Sequence, residues 1–411
     1  MKTLQESKNI LNNIAKEYQI KNTEILPLLQ AQNKILAEDV FATKSLPSFD
    51  NSAMDGYALN LKDAGKILKI QTSIFAGDCN TITLQPQACA KIMTGAKIPQ
   101  GADCIVPFED IEGGFNSTEQ ITAPKDLKSF ANIRKEGEEV KRNSLLLEKG
   151  TRLTCDMLTL LATQGISNVR AFCPLNLAVF ASGNELKEPW EVANASQIYN
   201  SNATMVQSTL QSLHFKSKYC GILKDDLNAI DLALQTPSDV IFTTGGASKG
   251  EADFIHQTLK QNGATLLIDG VNIKPGKPVM VAHFQGKFIV ALPGNPLASS
   301  VILRVLILPF LAQLSGAKEH YPNPIILKAK TPLRKKPRTE VLLAKIQNDS
   351  VLFTKGGKYG SSEVTPMAQS DALVILDSNF IEIKEGDLLK VLPFYAPFSA
   401  IEQECINTSH A

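Results

Sequence analysis

The sequence predicts a multidomain α/β protein: one parallel α/β domain, a β-rich domain inserted ahead of it, a small helical linking domain and a C-terminal β-barrel domain. Three observations carry this expectation. Apolar runs at Leu177–Phe180, Val240–Thr243 and Phe288–Leu292 each lead into a glycine-bearing turn and then a helical pattern, the rhythm of parallel strands buried on both faces. On either side of that stretch, short β-branched runs alternate with Gly, Pro, Asp and Asn, as in β-rich units. At 411 residues the chain also exceeds what one hydrophobic core serves, so about two to four domains are expected.

The elements follow in order. Leu4, Ile10, Leu11 and Ile14 share one helical face, and a second short amphipathic stretch covers Glu24 to Ala37. Strands are expected at Lys69–Ile74, Thr81–Leu84, Cys104–Pro107 and Glu119–Ala123. Thr154 reads as the N-cap of a helix through Met157, Leu158 and Leu161 that stops at Gly165. That helix is expected to pack on the first one, which makes the β-rich unit an insertion between them. In the α/β region, helices are expected at Asn202–Leu213, Asp226–Leu234, Glu251–Asn262 and Pro296–Leu314. Beyond Pro322, runs at Ile325–Ala329, Val341–Ile346, Val351–Thr354, Ala372–Leu376 and Leu388–Leu392 suit a small antiparallel barrel or sandwich, with a turn at Lys384-Glu-Gly-Asp387 and a frayed last ten residues. The expected domains are therefore 1–54 with 140–172 (linking, with 23–42 a candidate to pack on the α/β domain), 55–139 (inserted), 173–320 (α/β) and 321–411 (C-terminal).

Composition narrows the function. Hydrophobic residues make up 44% and charged ones 20%, with a formal net charge of +1, so no global field favours nucleic acid or a membrane surface. Seven cysteines stand singly, without zinc-type spacing, as expected of reduced thiols in a reducing compartment. The N-terminus lacks the apolar core of a signal peptide, and no run is read as approaching the ~20 apolar residues of a membrane span. The expectation is a cytoplasmic protein without nucleic-acid or membrane partners. The five histidines are scattered and are assigned no role.

Three loops carry the chemistry. Val240-Ile-Phe-Thr-Thr-Gly-Gly-Ala-Ser248 runs from an apolar strand into Gly245-Gly246 and Ser248 ahead of a helix. Glycines at the carboxyl end of a parallel strand let main-chain N–H groups approach an anion, and the following helix adds a favourable dipole. A tight strand–helix turn would need the same glycines. In Ile273-Lys274-Pro275-Gly276-Lys277-Pro278, two prolines and a glycine hold two lysines at fixed spacing, which suits an oxyanion; a solvated loop is the alternative. The third, Val290-Ala-Leu-Pro293-Gly-Asn-Pro296, is again strand, rigid loop and helix with proline in its first turn. Glu185, Asp225 and Asp253 fall near the same edge. Carboxylates beside phosphates usually act through Mg²⁺, although helix capping explains any one of them equally well.

Taken together, these loops and further motifs resemble the molybdopterin molybdenumtransferases, the MoeA family, which includes the second domain of gephyrin. The motifs are Phe49-Asp-Asn-Ser-Ala-Met-Asp-Gly-Tyr-Ala58, Ile92-Met-Thr-Gly-Ala96, Gly101-Ala-Asp103, Asn132-Ile-Arg134 with Gly137-Glu138, Thr244-Gly-Gly-Ala-Ser248 with Gly250-Glu-Ala-Asp253, Lys274-Pro-Gly-Lys-Pro278 and Leu292-Pro-Gly-Asn-Pro296. The resemblance implies four domains, a homodimer, and insertion of molybdate into adenylylated molybdopterin with release of AMP, assisted by Mg²⁺. A molybdopterin adenylyltransferase and apo-molybdoenzymes would be further partners. By the same resemblance Lys274, Lys277 and Pro278 would hold molybdate, with Arg338 and Ser361 as further contacts. Glu185, Asp225 and Asp253 would bind the metal or place the nucleotide, and Pro293 and Pro296 would shape the loop. Asp55 and Thr94 would act with Glu185 and Lys277 in catalysis, reaching the cleft of the partner subunit. The chain departs from the family pattern at Glu139 and Asn200, both usually Asp, and at Ala247 and Lys249. The rival readings are a molybdopterin adenylyltransferase and a gephyrin-like scaffold without catalysis.

Overall fold

A computed structural model describes residues 1–224, 226–245, 252–395 and 398–408, leaving aside the side chains of residues 252–254 and 257. The chain divides into two compact units. The smaller holds residues 39–148 and 159–167, and the larger holds residues 1–38, 149–158 and 168–411.

The smaller unit is built on five strands: β1 (Gly56–Leu59), β2 (Ile67–Ile74), β3 (Ala88–Ile92), β4 (Cys104–Pro107) and β5 (Gln120–Thr122). They lie in the order β4-β1-β3-β2-β5. Strand alternation sends Tyr57, Leu59, Leu68 and Val106 to one core and Ala58, Ile74, Ala90 and Ile105 to another, so strands β4, β1 and β3 are buried on both faces while β2 and β5 keep one side exposed. The expected strand at Thr81–Leu84 is reduced to a single bridge, Thr83 beside Gln100. The Gln71 carboxamide bonds the Thr83 carbonyl at 3.0 Å and the Gln85 N–H at 2.9 Å, satisfying main-chain groups that a ladder would otherwise pair. Strand β3 was not expected, because its Ala-Cys-Ala-Lys-Ile sequence carries little β-branched signal. Gln164 anchors residues 159–167, its side-chain oxygen accepting from the N–H groups of Thr43 (3.0 Å) and Lys44 (3.2 Å).

In the larger unit a six-stranded sheet is formed by β6 (Leu177–Ser182), β7 (Ser217–Leu223), β8 (Val240–Thr244), β9 (Thr265–Asp269), β10 (Met280–Phe284) and β11 (Lys287–Leu292), in the order β7-β6-β8-β11-β10-β9. Strands β7, β6, β8 and β11 are parallel, as expected, while β10 runs antiparallel to both neighbours. The reversal is local. Gln285 and Gly286 both have positive φ (47° and 78°), the two-residue hairpin geometry that forces an antiparallel pair. Leu177, Val179, Val240, Phe242 and Val290 face one core with helices Asn202–Ser212 and Pro296–Leu314. Phe180, Ile241 and Ile289 face another, with Ile230 and Ile255 of helices Leu227–Leu234 and Ala252–Gln261. Asp226 caps the third of these helices, accepting from the Ala229 N–H at 2.8 Å.

Three further expectations are revised. The N-terminal helix Leu4–Glu17, closed by a Thr3–Glu6 capping box, shares its core with Leu308, Leu311 and Leu314 rather than being seated on the helix after Thr154, which spans Cys155–Thr163. The stretch after Glu24 begins as a strand, Thr23–Pro27, paired antiparallel with Asn168–Phe172. Helix Pro296–Leu314 is long and apolar enough to cross a membrane, contrary to the sequence reading, yet 94% of that apolar window is buried inside the protein. A widened turn at Leu303–Ile307 precedes Pro309, which has no N–H for the Val305 carbonyl.

The C-terminal strands β12 (Ile325–Ala329), β13 (Glu340–Gln347), β14 (Ser350–Phe353), β15 (Ala372–Leu376) and β16 (Leu388–Pro393) close a ring β13-β14-β12-β16-β15-β13. It is a barrel, antiparallel except for the β12–β14 contact, and Leu342, Val351, Phe353, Val374 and Val391 fill it. The tail expected to fray is partly ordered: Ile406–Asn407 pairs with β15, and the Asn407 amide bonds the carbonyls of Ile375 and Lys390, both at 3.0 Å.

Candidate functional site

The carboxyl ends of β6, β8 and β11 are in register, Ala181 beside Thr244 and Thr244 beside Leu292, and a cleft of about 830 Å³ opens beyond them. Gly245 is what lets the strand ends converge. Its φ is +103°, and a Cβ there would sit 2.3 Å from the Ser182 carbonyl oxygen. Its N–H donates to the Leu292 carbonyl at 3.2 Å, drawing in the Pro293–Pro296 loop.

The lysine loop forms the opposite wall. Gly276, at φ +115°, packs so tightly that a Cβ would lie 2.7 Å from Ile302 Cγ1. The Lys274 N–H donates to the Thr339 carbonyl (3.1 Å) and the Val341 N–H donates to the Lys274 carbonyl (2.8 Å), so this loop is sewn to the first residues of barrel strand β13. Lys274 Nζ lies 3.5 Å from Glu340 Oε1, and Arg338 Nη2 lies 3.2 Å from the same oxygen. The Lys277 side chain is exposed and has no hydrogen-bond or ion-pair partner among the described residues. From the barrel side, Ser361 Oγ accepts from Asn295 Nδ2 at 2.9 Å and the Ser361 carbonyl accepts from the Leu297 N–H at 3.2 Å.

The cleft therefore gathers Glu185, Gly245, Lys274, Lys277, Pro278, Pro293, Pro296, Arg338 and Ser361, residues spread over more than half the larger unit's sequence. Three cations and one exposed carboxylate on rigid main chain can hold a phosphate or another oxyanion. Asp225, Gly246 and Ser248 lie outside the described residues, as does the side chain of Asp253, whose main chain belongs to helix Ala252–Gln261. Among the described residues no three His, Cys, Asp or Glu side chains cluster as a metal site.

Asp55 and Thr94 meet in the smaller unit. They flank β1 and β3 at the Gly56–Ile92 pair, and Asp55 Oδ1 accepts both the Thr94 N–H and its Oγ1, each at 2.7 Å. Those two donors hold the exposed Asp55 carboxyl below the ordinary aspartate value of 3.8. Of the departures noted in the sequence, Glu139 pairs with Arg134 at 3.3 Å. Asn200 Nδ2 donates to the Tyr219 hydroxyl at 2.8 Å, and that hydroxyl bonds Glu188; burial and Glu188 together push the Tyr219 phenol above its usual range.

Sequence reasoning missed Asn202 and Glu340. Asn202 Nδ2 donates to the Gly294 carbonyl at 2.6 Å, tying the proline loop to a helix start, while its Oδ1 is buried without a partner among the described residues. Each stands two positions from a residue already singled out, Asn202 from Asn200 and Glu340 from Arg338. Only the fold shows that they bridge loops distant in sequence.

Comparison with known proteins matches the same layout. The MoeA N-terminal region (domains I and II) matches residues 2–165, the probable molybdopterin binding domain matches 178–313, and the MoeA C-terminal region (domain IV) matches 327–394. A molybdopterin molybdenumtransferase of Haemophilus influenzae is 32% identical over 90% of this chain and 94% of its own length. One from Staphylococcus epidermidis is 30% identical over 94% of each. A crystal structure of the molybdopterin biosynthesis MoeA protein from Pyrococcus horikoshii superposes with a TM-score of 0.81 at 22% identity, covering 96% of this chain and all of that one, which is a likeness of fold. With three matched regions in this order and relatives at 30% identity or more aligned along nearly the whole length, the chain belongs to the MoeA family of molybdenum cofactor biosynthesis proteins.

Proposed function

We propose that this transferase inserts molybdate into adenylylated molybdopterin and releases AMP, with the reacting anions held in the cleft of the larger unit. The observation that carries the reading is the meeting of Lys274, Lys277 and Arg338 beside the Gly245 and Pro293–Pro296 turns in one cavity of about 830 Å³. Lys277, unpaired among the described residues, acts as a point charge for a tetrahedral oxyanion, and Arg338 supplies a planar fork of donors. The glycine turn brings main chain close to the nucleotide's phosphates. Glu185 is a hard oxygen donor at the same cleft. One carboxylate together with substrate phosphates is a common way to hold Mg²⁺, which would neutralise phosphate charge. Asp55, kept ionised by Thr94, completes the site from the second copy of a homodimer.

The test is molybdate-dependent turnover. Purified protein given adenylylated molybdopterin should release AMP when molybdate and a divalent cation are added, and not without molybdate. Binding of the nucleotide without turnover under those conditions would leave a scaffold role, while consumption of ATP with release of pyrophosphate would make it the adenylyltransferase.

A further inference from the structure

Glu340 is the carboxylate on which two of the cleft's cations converge. It opens strand β13, is buried, and offers a single oxygen to Lys274 Nζ at 3.5 Å and to Arg338 Nη2 at 3.2 Å. One cation comes from the α/β loop and the other from the approach to the barrel. The two cations themselves are partly exposed, so without a shared acceptor each would sweep through several rotamers.

We propose that Glu340 is a positioning residue for the oxyanion, an inference that rests on the transferase reading above. By tethering an ammonium and a guanidinium to one oxygen it sets their separation in advance. Their remaining N–H groups, with the unpaired Lys277 ammonium, are then left for a tetrahedral anion. Binding does not have to pay for ordering two long side chains.

The sign of the effect makes this testable. Coulomb's law alone treats a carboxylate beside an anion site as a liability, so deleting it should tighten the anion. Positioning predicts the reverse. Calorimetric titration with sodium molybdate should show Glu340→Ala raising Kd about tenfold, the size of one charge-assisted hydrogen bond. KM for molybdate should rise in parallel while kcat changes by less than about twofold, as for loss of binding common to ground and transition states. Glu340→Asp should recover part of the affinity. Molybdate binding by Glu340→Ala as tight as, or tighter than, the parent protein's would overturn the proposal. If that variant does not fold, Glu340→Gln decides: it keeps volume and one acceptor but loses the charge, so weaker molybdate binding supports positioning, and equal or tighter binding overturns it. A parent protein that binds no molybdate sinks the transferase reading itself, which separates the two failures.

Discussion

In the larger unit, Lys274, Lys277 and Arg338 stand on main chain braced by tight glycines and by bonds to a neighbouring strand. In the smaller unit, Asp55 stands at a strand end and is held by the N–H and hydroxyl of one residue, Thr94. The first arrangement collects positive charge and fixes it through the backbone; the second fixes a single negative charge through a side chain. A cation grip of long, flexible side chains needs rigid footing, because each carries much rotamer freedom. A short aspartate needs only two donors.

That contrast sets four expectations. Lys277→Ala should cut molybdate-dependent AMP release by about 10²-fold or more, as when a charge-stabilising donor is removed. Its thermal midpoint should hold to within about 2 °C, since exposed, unpartnered side chains contribute little to stability. A large loss of folded protein with unchanged molybdate affinity would break the claim that this cation is functional rather than structural.

Next in size is backbone strain. Gly245→Ala meets both a positive φ and the Ser182 carbonyl at 2.3 Å, whereas Gly77→Ala in the smaller unit meets a positive φ with nothing within 4 Å. Denaturant unfolding should show a loss of roughly 3 kcal/mol for the first and about 1 kcal/mol for the second. Equal losses would mean that torsion, not the close approach of strand ends, sets the need for glycine.

Thr94→Val keeps the N–H donor and removes the hydroxyl. The folded-state value for Asp55 is depressed, so its favourable contribution is present above the ordinary value of 3.8 and fades as pH falls through the lowered one. In the variant the folded-state value moves back toward 3.8, so the window of loss narrows from below and the contribution shrinks, seen as an upward shift in the Asp55 carboxyl titration by NMR. An unmoved titration would show that the main-chain donor suffices.

The smallest effect concerns thiols. Burial pushes Cys89 and Cys104 up to about 12, while Cys79 of the same unit and Cys155 of the larger one are exposed. A thiol reagent near pH 8 should label Cys79 and Cys155 first. Labelling of Cys89 as fast as Cys79 would show that the smaller unit opens readily.

Much of this architecture was legible in the sequence because the signals were strong and local. Continuous apolar runs marked β6, β8 and β11, and five alternating runs marked the barrel strands. What escaped had a non-local cause. Strand β3 opens on three small residues, Ala88, Cys89 and Ala90, whose strand character comes from its neighbours. The direction of β10 hangs on a two-residue turn, and the strand expected near Thr83 stops at one bridge to Gln100, its other edge taken by the Gln71 side chain. In the site, residues with a motif around them were found, and those whose role is to bridge, Asn202 and Glu340, were not. Bridging is a property of pairs, and a single sequence presents residues one at a time.

The two main-chain bonds that join Lys274 to Thr339 and Val341 have a consequence for how such a protein changes over generations. A hydrogen bond between peptide groups does not read the side chains attached to them. Substitutions along either strand of this seam leave its spacing intact, provided that no proline removes the donor. The main-chain spacing between the lysine loop and the stretch that carries Arg338 is thus insulated from such substitutions, while the placement of the Lys274 and Arg338 side-chain tips still depends on the Glu340 carboxylate.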